Sequence, residues 1–270
     1  MSDLLGYWRA MDTAIEEKYT VQPILWLRRW ADNLLSFRLR RPDAYRFEPG
    51  QFARLGLPLG DHGGQVWRAY SMCSAVTDEY LEFYSIVVPE GQFSSRLAQL
   101  QVGAEVMLDK KAMGFFLADR LPAGKDLWLL ATGTGLAPYL SILQDPGQWR
   151  RFEHIVLAHC VRRAEELSYQ DFIAALCEHP LWEEHGHKLQ YLPIVTRDAP
   201  DGLLDERIPA LLANGRLERA AGLSMSPEDS RFMICGNPAM VEDTHRQLMK
   251  MGYRMSRQSA PGHLVLENGW

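Results

Sequence analysis

The segment Ala131-Thr132-Gly133-Thr134-Gly135-Leu136-Ala137-Pro138 follows a short apolar run and opens a helical pattern. Glycines at a strand-to-helix turn let a phosphate approach backbone N–H groups, and the start of the helix favours the anion. Pro138 suits a first helical turn, where its missing N–H costs no ladder bond. A glycine pair alone is a weak signal, because glycines also simply make turns. Its strand–turn–helix setting is what points to a dinucleotide. Arginines then stand where a reader of a ribose 2′-hydroxyl would place an acid. His159-Cys160-Val161-Arg162-Arg163 closes the next strand, Thr196-Arg197-Asp198 follows a later one, and Arg207 is expected in a helix just beyond. Guanidinium groups grip phosphate bidentately, so the set points to a 2′-phosphate and therefore to NADP(H). Taken singly, each of these arginines is an ordinary solvated surface residue.

Three further groups can do chemistry. Arg68-Ala69-Tyr70-Ser71 offers an arginine for phosphate, a flat ring and a hydroxyl. Strand alternation puts Arg68 and Tyr70 on one face and Ser71 on the other. Gly91-Gln92-Phe93-Ser94 enters a short helix expected over 94–99, with Ser94 as its capping residue and free N–H groups for a second pyrophosphate. Cys235-Gly236-Asn237-Pro238 stands at a strand end and a helix start, the place where open α/β sheets bind ligands. The bland alternatives are an amphipathic strand, a capped helix and a small buried thiol.

Two kinds of element must position these groups. Strand-like runs at 21–27, 34–39, 51–57, 66–74 and 81–88 are separated by turn residues such as Glu48-Pro49-Gly50, which predicts an antiparallel barrel or sandwich. After Leu121-Pro122-Ala123-Gly124 the rhythm becomes strand, helix, strand, helix, which predicts a parallel sheet with helices on both faces. The expected organisation is an N-terminal extension over 1–18, a β-barrel domain over 19–121 and an α/β Rossmann-like domain over 122–270. In the extension Leu4, Leu5, Trp8, Met11 and Ile15 recur at helical spacing.

A net charge of −5 argues against bulk attraction to nucleic acid or an anionic membrane. No apolar run approaches the roughly 18 residues that span a bilayer. The N-terminus lacks the pattern of a secretory signal, and Cys73, Cys160, Cys177 and Cys235 form no CxxC pair. The expectation is a cytoplasmic, reduced, monomeric protein that contains no metal. Residues 28–46 depart from the average. Six basic side chains (Arg28, Arg29, Arg38, Arg40, Arg41, Arg46) face two acidic ones (Asp32, Asp43), a local charge of +4, to which Lys110 and Lys111 can add.

In this order the motifs RAYS, LEFYSIVVPEG with SSRL after it, GFF, LWLLATGTGLAPYLSILQ, VTRD, ERIPAL, ICGNPAMVEDT and PGHLVLENGW resemble the bacterial branch of the plant-type ferredoxin–NADP reductase superfamily, over about residues 20–270. The resemblance implies FAD in the barrel and NADP(H) on the α/β domain, with hydride transfer between nicotinamide and flavin and single-electron exchange with an acidic ferredoxin or flavodoxin. By matching motif, Arg68 and Ala69 would meet the FAD pyrophosphate, Tyr70 would stack on the isoalloxazine, and Ser71 would bond near its reactive nitrogen. Tyr84, Ser85, Ile86 and Val87 would line the flavin, and Gly91, Phe93, Ser94 and Ser95 would bind pyrophosphate. Thr132, Gly133, Thr134 and Gly135 would meet NADPH, with Gly236 beside them. Arg162, Arg197 and Arg207 would hold its 2′-phosphate, with Thr196 as a further cofactor-binding residue, and Cys235 and Glu267 would be the active-site thiol and near-terminal carboxylate.

The tail departs from the family. An aromatic is common two residues after the glutamate, and here that position is Gly269, followed by Trp270. Trp270 would stack on the FAD adenine or, if the tail bends, on the isoalloxazine. Two other functions share the scaffold or fold: a flavin or oxygenase-partner reductase, and a non-catalytic nucleotide-binding module. The absence of a cysteine cluster disfavours an appended iron–sulfur centre, and intact cofactor motifs disfavour the module.

Overall fold

The computed structural model describes residues 18–60, 63–179, 184–257 and 259–269. The helical stripe from Leu4 to Ile15 and the terminal Trp270 lie outside the described residues.

Six strands form from the N-terminal runs: β1 (Tyr19–Ala31), β2 (Leu34–Arg40), β3 (Phe52–Pro58), β4 (Gln65–Ser71), β5 (Tyr80–Ile86) and β6 (Glu105–Asp109). They pair antiparallel in the order β4-β3-β6-β1-β2-β5. Leu35, Phe37 and Leu39 of β2 alternate into the core, where Phe37 pairs across the sheet with Phe83 at 5.4 Å between rings. The sheet curls until its edges meet. Beyond β4, Met72 bridges to Phe83 of β5, and Cys73 N–H donates to Glu82 O at 2.8 Å. Closure of this kind covers the edges that an open sheet would leave unpaired. β6 carries no period in the sequence. Val106, Met107 and Leu108 are all buried, so the strand has no alternation to detect, because it lies between β3 and β1 in the middle of the sheet.

The second sheet contains β7 (Asp126–Thr132), β8 (His154–Val161), β9 (Leu189–Val195), β10 (Ser230–Gly236) and β11 (Leu264–Asn268), parallel in the order β11-β10-β7-β8-β9. Its strands are covered on both faces, which is why they read as continuous apolar runs. Leu127, Leu129 and Ala131 face one buried cluster with Leu140 and Trp149, while Trp128 and Leu130 face another with Ile208 and Leu211. The chain moves outward from β7 to β8 and β9, then returns to lay β10 on the other side of β7. Such a reversal opens a crevice at the carboxyl ends of the two strands.

The helices in chain order are α1 (Ser94–Leu97), α2 (Ala137–Ile142), α3 (Pro146–Arg151), α4 (Gln170–Glu178), α5 (Ile208–Ala213), α6 (Arg216–Ala221) and α7 (Pro238–Lys250). Three sequence expectations change. Phe93, not Ser94, occupies the N-cap position of α1, without a side-chain capping bond, and the helix ends at Leu97 rather than 99. Ser94 Oγ instead accepts the Val88 N–H at 3.0 Å and ties the preceding loop. Arg207 stands before α5 in extended geometry rather than inside it, because Pro209 places the first helical turn at Ile208.

The two sheets share buried contacts. Leu34, Cys73, Tyr84 and Phe116 join the cluster beneath β7. Tyr84 OH donates to Ser168 Oγ at 2.9 Å, Tyr169 OH to Glu82 Oε1 at 2.8 Å, and Ser141 Oγ to Ser74 O at 2.7 Å.

Candidate active site between the two sheets

The loops after β7 and β10 touch at the switch point, and glycine makes this possible. A Cβ on Gly135 would lie 2.3 Å from Cys235 O, and one on Gly236 would lie 2.1 Å from Thr132 Oγ1. Gly236 also has φ +141°, which L side chains rarely adopt. Thr132 Oγ1 accepts the Asn237 N–H at 2.9 Å, and Asn237 Oδ1 caps α7 by accepting from Ala239 and Met240. His159, near the end of β8, adds a third tie. His159 is fully buried in β8, and burial pushes its imidazole down to about 4, so it is neutral near pH 7. Its Nε2–H donates to Gly133 O at 3.1 Å.

A cleft of about 680 Å³ lies in front of these loops, a size common for cofactor sites. Arg68, Ala69, Tyr70 and Ser71 line it from the end of β4, and Tyr84, Ser85 and Ile86 from β5. Gly91, Gln92, Phe93 and Ser94 close one end. Thr134, Gly135, Cys235 and Glu267 supply the opposite wall. Tyr70 packs edge-on against Phe37 and Phe83, and its hydroxyl lies 3.0 Å from Ser85 Oγ. Arg68 bonds only the neighbouring Trp67 O among the described residues, so most of its guanidinium donors are available. Ser95 Oγ donates to Gly91 O, which fixes the turn. A flat ring, a spare guanidinium and a tight loop at the start of α1 suit a flavin with a pyrophosphate tail.

The parallel pairing of β10 with β11 sets Cys235 beside Glu267, and Ser71 Oγ reaches across from the barrel to donate to Glu267 Oε1 at 3.2 Å. Burial and the nearby Glu267 charge push the Cys235 thiol well above its ordinary range, so it is a neutral SH. Burial raises the Glu267 carboxyl to about 7, against the opposing pull of the Ser71 hydrogen bond. The folded chain therefore keeps this proton at pH values where the unfolded chain has lost it. The stabilisation is full below the ordinary value of 4.5 and is lost as pH rises towards about 7. Glu267→Gln should match wild type in urea unfolding near pH 4 and exceed it by on the order of 2 kcal/mol near pH 8. Equal stabilities near pH 8 would show that burial does not raise the Glu267 carboxyl.

The predicted phosphate ligands gather elsewhere, at the carboxyl ends of β8 and β9. Thr196 N–H and Oγ1 both donate to Val161 O, and Arg197 N–H donates to Arg162 O at 2.9 Å, which sets Arg162 and Arg197 side by side. Arg207 stands close enough to the β8 end to act on the Cys160 thiol.

The comparisons agree with this geometry. Residues 30–115 match the oxidoreductase FAD-binding domain model and residues 129–246 the oxidoreductase NAD-binding domain model. A ferredoxin–NADP reductase of Pseudomonas aeruginosa is 41% identical over 251 residues, 92% of this chain and 96% of that one. The flavodoxin/ferredoxin–NADP reductase of Escherichia coli K12 is 41% identical over 90% of this chain and 96% of its own. This chain belongs to the bacterial ferredoxin/flavodoxin–NADP reductase family. The crystal structure of a ferredoxin NADP⁺ reductase from Neisseria gonorrhoeae, with bound FAD and NADP, superposes with a TM-score of 0.87 at 44% identity, covering 94% of this chain and 99% of that one.

In this reductase the cleft does not take in every residue expected of it. Val87 packs against the barrel core, and Ser95, Thr132, Gly133 and Gly236 are not part of the lining. Phe52, Val88, Ala137 and Asn268 line it without an expectation from the sequence, and Gly269 lines it at the tail position where an aromatic is common. Phe52 pairs with Ser71 across β3 and β4, a register that no single-strand pattern reveals. Gly269 N–H donates to Gly236 O at 2.8 Å, which fixes the tail against the glycine loop just before Trp270.

Proposed function

We propose that this chain is an FAD-dependent reductase that takes hydride from NADPH and passes single electrons to ferredoxin or flavodoxin. The observation that carries the reading is the convergence of Ser71, Cys235 and Glu267, from three strands of two sheets, on one cleft beside the glycine-dependent contact of two phosphate-type loops. Bound FAD supplies the conversion between two-electron and one-electron chemistry, and the protein supplies position and electrostatics.

Residues 19–121 hold FAD. Arg68 neutralises pyrophosphate together with the Gly91–Ser95 loop, and Tyr70 offers its ring to the isoalloxazine. Residues 122–270 hold NADP(H). Thr134 and Gly135 face its nicotinamide end, and Arg162, Arg197 and Arg207 grip the 2′-phosphate 'from' the ends of β8 and β9. The buried Cys235 side chain shapes the nicotinamide seat, excluding water without ionising. Ser71 and Glu267 form a hydrogen-bonded pair that can hold or release a proton at the flavin edge. Purified protein should be yellow with stoichiometric FAD, identified by chromatography of the released flavin. Protein that binds no FAD would overturn the reading.

The carrier is an acidic protein steered by the 28–46 stretch. Several of its arginines also work within the fold. Arg29 donates to Ala98 O, Arg41 to Tyr45, Val76 and Asp78 carbonyls, and Arg38 pairs with Glu82. Except where Arg38 meets Glu82, these contacts leave the positive charge uncompensated, and long-range steering depends on charge. Carrier affinity should fall by about tenfold or more between low and high salt, because screening shortens with ionic strength. An affinity flat across that range would remove the patch from docking.

A further inference from the structure

The three arginines assigned to the 2′-phosphate are held differently. Arg197 and Arg207 have no ion-pair partner among the described residues, whereas Arg162 Nη2 lies 3.0 Å from Glu166 Oε1. The Arg162 side chain is 52% exposed and that of Glu166 only 10%. The other oxygen of this carboxylate is committed to the backbone, since Glu166 Oε2 accepts the N–H of Arg162 at 2.9 Å and that of Arg163 at 3.2 Å. The segment that follows is tied to the barrel, where Ser168 Oγ accepts from Tyr84 OH and Tyr169 OH donates to Glu82. Tyr84 itself lines the cofactor cleft.

We propose that Glu166 is a positioning residue for nucleotide specificity: it aims Arg162 at the 2′-phosphate of NADP(H). The inference rests on the reading of Arg162 as a phosphate ligand. A carboxylate beside a phosphate-binding arginine can act in two opposite ways. It can compete for the guanidinium, which requires that it let go when phosphate arrives. It can also hold one edge of the guanidinium while the others bind. The two backbone N–H bonds keep Glu166 from swinging away, so the contact persists with nucleotide bound. One N–H engaged leaves four of the five guanidinium donors for phosphate. An exposed arginine would otherwise lose its rotamer freedom on binding, and a tethered one has already lost it.

Glu166→Gln separates the two roles. The amide oxygen can still accept both backbone N–H groups, so the turn survives. The amide NH₂ then faces Arg162 Nη2, donor against donor, and the arginine is released. The test is calorimetric titration of the FAD-loaded protein with 2′-phospho-AMP, for wild type, Glu166→Gln, Arg162→Met and the double variant, with flavin content and melting temperature measured on each. Affinity should fall about tenfold in Glu166→Gln, the scale of one charge-assisted hydrogen bond. The double variant should bind no more weakly than Arg162→Met alone, because a positioning residue has nothing left to position. The NADPH-to-NADH ratio of kcat/KM should fall in parallel through KM for NADPH. Wild-type or tighter binding by Glu166→Gln, beside clear loss in Arg162→Met, overturns the role of Glu166 alone. Wild-type affinity in Arg162→Met overturns the phosphate reading beneath it, and the inference with it.

Discussion

Replacing Arg197 and Arg207 together with alanine should lower kcat/KM for NADPH by about 10²- to 10⁴-fold and shrink the preference over NADH to the part that Arg162 carries. Each charge-assisted hydrogen bond to phosphate carries roughly 1.5–3 kcal/mol, and the loss compounds over two residues. These two are the arginines whose guanidinium groups have no ion-pair partner among the described residues, so they are available to phosphate. Backbone ties at the ends of β8 and β9 hold Arg197 beside Arg162. Steady-state kinetics with each nucleotide decides the matter. A wild-type protein equally efficient with NADPH and NADH, or a double variant with the full wild-type preference for NADPH, would contradict the assignment.

Gly135→Ala should have the second large effect. Its Cβ would sit 2.3 Å from Cys235 O and 2.6 Å from the Cys235 carbonyl carbon. Both are backbone atoms of a central strand, so no flexible side chain can move aside. The loop after β7 must then separate from β10, which displaces Thr134 and Cys235 from their common wall of the cleft. A cost of about 3 kcal/mol or more in unfolding free energy is expected, as for other overpacked buried sites. Hydride transfer should slow by about 100-fold or more, because misplacement on the order of 1 Å costs that much. Urea unfolding and stopped-flow flavin bleaching measure the two effects. A variant with wild-type stability and rate would show that the contact is dispensable.

The fold was legible where one element alone carries its pattern. Leu35, Phe37 and Leu39 alternate because one face of β2 packs into the barrel core, and Leu127 to Ala131 run without interruption because both faces of β7 pack in apolar clusters. Elements that depend on neighbours were not legible. β6 has five residues and no alternation, and β11 becomes a strand because it can pair with β10. α3 and α6 have six residues each, too few to establish a helical period.

The site divides in the same way. The glycine loops and strand-end arginines announce themselves by residue type and position. The Ser71–Glu267 hydrogen bond joins residues 196 positions apart and depends on how the two sheets pack. His159 reads as one more residue of an apolar strand until its bond to Gly133 is seen. Ser94 looked like a cap because serine before a helix usually is one, yet its hydroxyl is used to close the loop at Val88.

The most direct test of the central claim is an anaerobic stopped-flow experiment on the purified protein. NADPH is mixed in first, and oxidised ferredoxin or flavodoxin is then titrated into the reduced enzyme. NADPH should bleach the flavin absorbance within a turnover, and the carrier should restore it while becoming reduced by single electrons. A flavin that NADPH does not bleach, or that neither carrier reoxidises, would contradict the account.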